Sequence, residues 1–583
     1  MSQPATVVVE SHAEFVVQHA GAKLARWLDS QLQYSESAAA KNAIVIGTAQ
    51  DGHITAISQG CPGMLEELKK VGREGFLIRT VEQAIVIAGN SANGAANGAY
   101  AMLRDLRKAS SRNPFGQAWA LVDKPHFEYR GTWIFSTTWE LTKLTVDTWI
   151  IDDWKKHIDF LRELCVNRMD VVVMAKHFYH PDYEETWQNK WRYEVWHQAF
   201  EYAQKQGIKP VFVFTNNPVP SSVWWKSKHR GIISAYAGMI LCWNKEKEAI
   251  IPFHKFNIDY FEDVVDGFEV YFDDPGLCNC KDQECLDRSV GILDSFDALL
   301  KMVPGNSRLD LCTHNLRQLN DDSINDGYGD FLEPLLEKLP EDSVVIDLGG
   351  SFQEYLEGNE RFARLRDVCI NCFYMLDPEG GRENMTIFPD PKSELIEKEM
   401  ELSVQQGRAG LLGGRQTPFT GVISEYLCYR KAWAPKLPMN DAIEEVAGLL
   451  ATTETNKAKV RDSIFLLNEW FLTKKKEALL EARGNFDFLR RAEKSADSER
   501  ISILADCVEV LVLMQERVLS MNTPSEGDES FEEFVARVFI RMNDMWIFQA
   551  YSTDPFWTGR SQELLIPRVK WWLRHLFDVE LVY

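Results

Sequence analysis

The sequence predicts an α/β fold in three parts: an N-terminal α/β accessory domain, a central (β/α)8 TIM barrel and a C-terminal α-helical domain. Three observations carry the prediction. Between His126 and Trp433 short apolar runs alternate with amphipathic helical stretches, and eight such runs joined by helices make a (β/α)8 barrel. Before them, a separate strand and helix pattern ends at Asp123-Lys124-Pro125. From Pro435 onward strand signals cease and apolar residues recur at helical spacing. The expected domains are residues 1–124, 125–434 and 435–583.

In the first part, apolar strands are expected at residues 5–9, 43–46 and 84–88, with an amphipathic helix over 12–31 between the first two. Residues 89–108, GNSANGAANGAYAMLRDLRK, form a glycine-rich turn entering a helix. This turn matches neither the P-loop nor the dinucleotide fingerprint, so its glycines are read as close packing of helix on sheet. In the barrel, apolar strands end near Phe135, Met174, Phe214, Phe272, Cys312, Ile346, Tyr374 and Tyr426. Helices are expected at 148–165, 193–206, 289–303, 330–338, 359–366 and 392–406. In the third part, LPMNDAIEEVAGLLATT (437–453) opens with Asn440-Asp441 as a cap before an apolar-periodic run. Residues 521–530, MNTPSEGDES, read as an exposed loop between helices.

Composition excludes several function classes. A net charge of -22 opposes any polyanion-binding surface, so nucleic acid is not an expected partner. No basic segment followed by an apolar core stands near Met1, and no run of 18 apolar residues occurs, so neither a secretory signal nor a membrane span is expected. A cytoplasmic location is the expectation. The 11 cysteines, odd in number and dispersed, fit reduced thiols better than a disulfide framework. Cys278, Cys280 and Cys285 do cluster, and Cys369 and Cys372 form a CxxC. A zinc site needs four well-placed ligands, a condition met only if the fold brings these together. Buried thiols are the simpler account; neither a metal nor a cofactor is expected.

Two blocks, GREGFLIRT (72–80) and AIVIAGNSANGAANGAYAMLRDL (84–106), resemble the N-terminal domain of family-67 α-glucuronidases and family-20 β-hexosaminidases. HFEYRGTWIFSTTW (126–139) is similar to the first barrel strand of family 20, and KKHIDFLRELCVNRMDVVVMA (155–175) to the following helix-to-strand step. The resemblance implies a glycoside hydrolase in which an accessory domain precedes a catalytic barrel.

Barrels of this kind place their chemistry at the C-terminal ends of the strands. The stretch 267–285, GFEVYFDDPGLCNCKDQEC, delivers Asp273 and Asp274 to the end of the fourth strand, before Pro275-Gly276. Alternation along a strand sends one inward and the other toward the wall, so a second carboxylate must come from elsewhere. Glu425, in GVISEYLCYRKAW (421–433), is read as closing the eighth strand and is the next candidate; an ion pair with Arg430 or Lys431 is the alternative. The resembled families keep an acid near the end of strand four, an Asp-Glu dipeptide in one and a glutamate in the other; this chain has Asp-Asp.

Groups suited to sugar hydroxyls follow other strands: His177 and His180 after the second, Asn216 and Asn217 after the third, His314 and Asn315 after the fifth, Glu354 after the sixth. Asp377 and Glu379 follow the seventh in a turn-like context. By the resemblance, Arg130 in the YRG motif contacts the nonreducing sugar; a buried ion pair is its alternative. Among the 18 tryptophans, Trp133 and Trp139 flank the first strand end and are candidates for stacking on sugar rings.

The expected function is a glycoside hydrolase that cleaves a terminal sugar by carboxylate acid/base catalysis, β-N-acetylhexosaminidase-like, with a carbohydrate as its partner. The alternatives are a catalytically inactive carbohydrate-binding protein on the same scaffold and an α-glucuronidase-like enzyme, which would need a cationic clamp for the uronate. A family-67 motif of the NHWDN type is missing. Membrane association is not expected, and a homo-oligomer is left open.

Overall fold

The computed structural model describes residues 5–35, 42–136, 146–174, 177–183, 187–215, 217–230, 239–272, 280, 288–305, 307–313, 332–348, 352–374, 388–415, 418–494, 498–522, 530–543 and 573. It is a mixed α/β protein in which a six-stranded sheet precedes a closed eight-stranded parallel barrel, followed by a helical region.

Strands β1 (Thr6–Val9), β2 (Gln31–Tyr34), β3 (Ala43–Thr48), β4 (Phe76–Val81), β5 (Ala84–Gly89) and β6 (Ala120–Asp123) form the sheet, in the order β2-β1-β3-β5-β4-β6. The expected helix over 12–31 is shorter, Phe15–Trp27, and residues 31–34 belong to β2 instead. Asp29 takes a positive φ of 52° and turns the chain there. The glycine-rich segment becomes the helix Ala92–Lys108, capped by the Ser91 hydroxyl, which accepts from Gly94 N at 3.2 Å. A Cβ on Gly98 would stand 2.6 Å from Ile87 Cγ2 of β5. These glycines therefore let a helix lie directly on the sheet, as their spacing suggested.

The barrel consists of β7 (Tyr129–Ser136), β8 (Arg168–Val173), β9 (Lys209–Thr215), β12 (Gly267–Tyr271), β13 (Arg308–Cys312), β14 (Val345–Leu348), β15 (Cys369–Tyr374) and β16 (Gly410–Arg415), all parallel, with β16 closing on β7. A small antiparallel pair, β10 (Pro218–Val219) and β11 (Met239–Ile240), lies between β9 and β12. The eighth strand corrects the sequence reading. The run ending at Tyr426 is helical, Val422–Trp433, and the closing strand is GLLGGR. Three glycines hide this strand from a propensity argument, and they are tolerated because backbone approaches closely there: a Cβ on Gly410 would stand 2.4 Å from Tyr129 Cβ.

Alternate residues fill the interior, among them Trp133, Phe135, Val172, Val213, Tyr271, Cys312, Ile346, Cys372 and Leu412. The opposite faces meet a helical layer that includes Ile151–Glu163, Trp187–Lys205 and Ser393–Gln405. Helices from Met439–Leu450 through Phe531–Asn543 complete the chain. The first of them begins after Pro438, one residue before the expected Asn440-Asp441 cap. Glu445 on it engages both Arg430 at 2.6 Å and, at 3.5 Å, Arg104 of the sheet domain.

Candidate active site

The barrel interior holds a charged cluster that composition alone does not reveal. Arg168 and Asp170 from β8, Glu269 from β12, and Arg308 and Asp310 from β13 all point inward. Arg168 lies 2.8 Å from Asp170, 2.9 Å from Asp310 and 3.4 Å from Glu269, and Arg308 lies 2.7 Å from Asp310. Two guanidinium groups face three enclosed carboxyls, and Arg308 also meets the part-exposed Asp266 at 3.2 Å, so at least one enclosed carboxyl must carry a proton if the interior is to be neutral. Burial, reinforced by the Asp170 charge, pushes the Glu269 carboxyl well above its usual range, and Glu269 hydrogen-bonds Asp170. The Asp170 carboxyl is also raised, by burial. Burial works against the Arg168 charge, but the three acids together raise its pKa.

Above this cluster, Trp133 Nε1 donates to Glu269 at 3.2 Å. Its ring meets Phe135 edge-on at 4.6 Å and Tyr271 at 5.7 Å. Trp133 is fully buried, so it supports the floor of the barrel mouth from below. This corrects its assignment as a sugar platform: an enclosed ring presents no face to a ligand. At the mouth, the Ser136 hydroxyl accepts from Met174 N at 3.1 Å and stands 3.2 Å from His177 Nδ1. The serine hydroxyl has a second lone pair and its own proton, so it can pair with Nδ1 in either imidazole tautomer. His177 is buried beside Trp196, with ring centroids 6.0 Å apart.

Two further candidates take positions other than those the sequence reading gave them. Glu425 sits in the first turn of the helix Val422–Trp433, which packs outside the barrel wall, because the eighth strand ends ten residues earlier, at Arg415. Its expected ion-pair partners are engaged elsewhere: Arg430 with Glu445, and Lys431 with the carbonyls of Pro435 and Leu437 at 2.7 and 2.8 Å. Arg130 lies at the N-terminal end of β7, opposite the mouth. Its guanidinium donates to the carbonyls of Phe127 at 2.6 Å, Glu128 at 3.1 Å and Cys165 at 3.1 Å, and it pairs with Glu74 of the sheet domain. Burial alone would raise the Glu74 carboxyl, but Arg130 and Asn167 hold it below the usual range. Arg130 is thus a buried link between the first two parts of the chain.

Asp273, Asp274, Asn216, His314 and Asn315 lie outside the described residues, as do Trp139, Asp377, Glu379 and the Glu354 side chain. Asn217 is buried and donates to Leu241 O at 3.1 Å. The CxxC cysteines do not converge. Cys372 faces the barrel interior, whereas Cys369 lies outside it, beside Arg408 Nη1 at 2.9 Å, its thiol pushed up to about 12 by burial.

A cleft of about 610 Å3 opens at the other end of the barrel, lined by Arg73, Glu74, His126, Tyr129, Lys209 and Asp266 among others. It lies between sheet domain and barrel, remote from the strand ends that carry chemistry in this fold. The charged interior went unnoticed in the sequence, although a signal was there: β8 and β13 both read Arg-x-Asp, placing both charges on one strand face, and Glu269 breaks the apolar run of β12.

Residues 3–102 match the family model described as "Glycosyl hydrolase family 67 N-terminus". No curated protein sequence matches the chain. Among solved structures, a protein described as a "GH138 enzyme targeting pectin rhamnogalacturonan II" is similar over 97% of this chain and 74% of its own, with a TM-score of 0.54 and 12% identity. The chain therefore carries a family-67-type N-terminal domain ahead of its parallel barrel, and its overall fold is similar to that of a solved glycoside hydrolase.

Proposed function

We propose that the protein is a glycoside hydrolase whose reaction takes place at the C-terminal mouth of the barrel, with Asp273 or Asp274 as the general acid. The observation that carries this reading is the closed eight-stranded barrel behind a family-67-type N-terminal domain. Glu269 and Tyr271 face the barrel axis, and Asp273, two residues beyond Tyr271, has the same parity in sequence. This favours Asp273 over Asp274 for the role toward the substrate. The buried Ser136–His177 pair at the strand ends stands behind this site and is suited to holding the mouth in shape.

The family-67 match favours a uronic-acid-bearing substrate over the hexosaminide suggested by the sequence. The test is a panel of p-nitrophenyl glycosides, including α-glucuronide, α-galacturonide and β-N-acetylglucosaminide, assayed with the wild type, Asp273→Asn and Asp274→Asn. The α-galacturonide is included because the structural neighbour is described as targeting a pectin. Loss of a general acid costs about 10²–10⁴-fold in turnover where the leaving oxygen needs a proton, so the variants are compared on the methyl glycoside of whichever sugar is turned over, p-nitrophenolate leaving without one. Turnover unchanged in both variants would remove the pair from the mechanism; binding without turnover in the wild type would identify a carbohydrate-binding protein instead.

A further inference from the structure

The loop that follows β9 is basic and aromatic in an acidic chain. No Asp or Glu stands between Glu201 and Glu246, although the net charge of the chain is -22, and residues 224–230 read Trp-Trp-Lys-Ser-Lys-His-Arg. Thr215, at the end of β9, pairs in register with Tyr271 of β12, so this loop leaves the barrel at its C-terminal mouth, beside the strand that leads to Asp273. The loop also meets the segment after β12, where His229 Nδ1 stands 3.6 Å from Cys280 Sγ.

Two indoles and a guanidinium build a platform within it. Trp224 is buried and meets Trp225 edge-on, with ring centroids 4.7 Å apart, whereas Trp225 is 64% exposed. Arg230, half-buried, sets its guanidinium carbon 4.9 Å from the Trp224 ring centroid and 5.5 Å from that of Trp225. The backbone around it is fixed: Arg230 bridges Leu241, the His229 carbonyl accepts from Cys242 N at 2.9 Å, and the His229 N–H donates to Ser227 Oγ at 2.9 Å. Ser227 in turn donates to Glu246 at 2.6 Å. Arg408 and Arg430 are each held by a carboxylate, but among the described residues Arg230, Lys226 and Lys228 have none. Contact with ring faces leaves the N–H edge of a guanidinium to an acceptor, and a carboxylate matches that edge with two parallel hydrogen bonds. The exposed indole beside it offers a flat apolar face on which a sugar ring stacks.

Resting on the reading of the mouth as a saccharide-cleaving site, we propose that Trp225 and Arg230 form a subsite for a uronate-bearing sugar. Trp225 stacks on the ring, Arg230 pairs with its carboxylate, and the exposed Lys226 and Lys228 extend the positive surface toward an anionic chain.

The test is isothermal titration calorimetry of the full-length protein with α-1,4-linked trigalacturonate, a glucuronate-bearing hyaluronan tetrasaccharide and the carboxyl-reduced form of each. The wild type is expected to bind at least one of the two acidic probes. Affinity for it should fall tenfold or more in Arg230→Gln and be partly restored in Arg230→Lys, which keeps the charge without the planar fork. The reduced probe should not distinguish Arg230→Gln from the wild type. Trp225→Ala should weaken both forms, and Leu472→Ala, which removes a comparably exposed apolar side chain from the helix Glu454–Thr473, neither. A wild type that binds neither acidic probe, or an Arg230→Gln variant that binds as the wild type does, overturns the subsite. Turnover of a p-nitrophenyl glycoside together with affinity indifferent to Arg230 would sink the subsite and leave the hydrolase; Arg230-dependent binding without turnover would do the reverse.

Discussion

Substituting Glu269→Gln probes the proton held inside the barrel. The raised native-state pKa of Glu269 means that the folded protein keeps a proton which the unfolded chain releases near pH 4.5. In that window the native state binds more protons, so stability is fully present below pH 4.5 and falls as pH rises toward the native-state pKa, by about 1.4 kcal/mol per pH unit. Glutamine keeps a donor for Asp170 and an acceptor for Trp133 but does not titrate. The variant should therefore melt close to the wild type at pH 4.5 and gain on it at higher pH. At roughly 2 cal/mol/K of unfolding entropy per residue over a barrel of about 300 residues, each kcal/mol moves the midpoint by about 1.5 °C, so the gain is about 2 °C per pH unit. Differential scanning calorimetry from pH 4.5 to 7.5 reads it directly. A constant difference between the two midpoints across that range would show that Glu269 is ionised in the folded protein and refute the charge balance proposed for the cluster.

Two further outcomes follow from buried ion pairs. Arg130→Met should destabilise the protein by about 1–3 kcal/mol, because the buried carbonyls of Phe127 and Cys165 lose their donor while the part-exposed Glu74 keeps Asn167, and KM should change little. A rise in KM at unchanged thermal stability would restore Arg130 to the substrate. Glu163, between Arg107 and Lys23, has its carboxyl lowered to about 2, the cations outweighing burial. Its contribution, on the order of 3 kcal/mol, is present above pH 4.5 and lost as pH falls toward 2. Glu163→Gln should accordingly flatten the acid limb of the stability profile, and an unchanged limb in calorimetry would count against the pairing.

Much of the fold was legible where local pattern and tertiary role agree. The strands at 43–46 and 84–88, the helix after Ser91 and seven barrel strands follow from apolar periodicity, because these segments bury the faces that their sequence marks. β16 did not: Gly-Leu-Leu-Gly-Gly-Arg has too few side chains to show a period, and the apolar helix beside it imitates a strand. That one misplacement also moved Glu425 to a strand end it does not occupy.

The sequence by itself determined the class of the protein, its three-part order and the acidic pair after the fourth apolar barrel strand, since each depends on neighbours along the chain. Only the tertiary structure decided which end of the barrel Arg130 occupies, that Trp133 is enclosed, that five charged residues from three strands share one buried cluster, and that His229 meets Cys280. Those facts rest on contacts between residues far apart in the chain, 51 positions for His229 and Cys280 and 136 for Trp133 and Glu269, set by strand register and barrel closure. Alternation fixes which face a residue is on; only the closed barrel fixes what it faces.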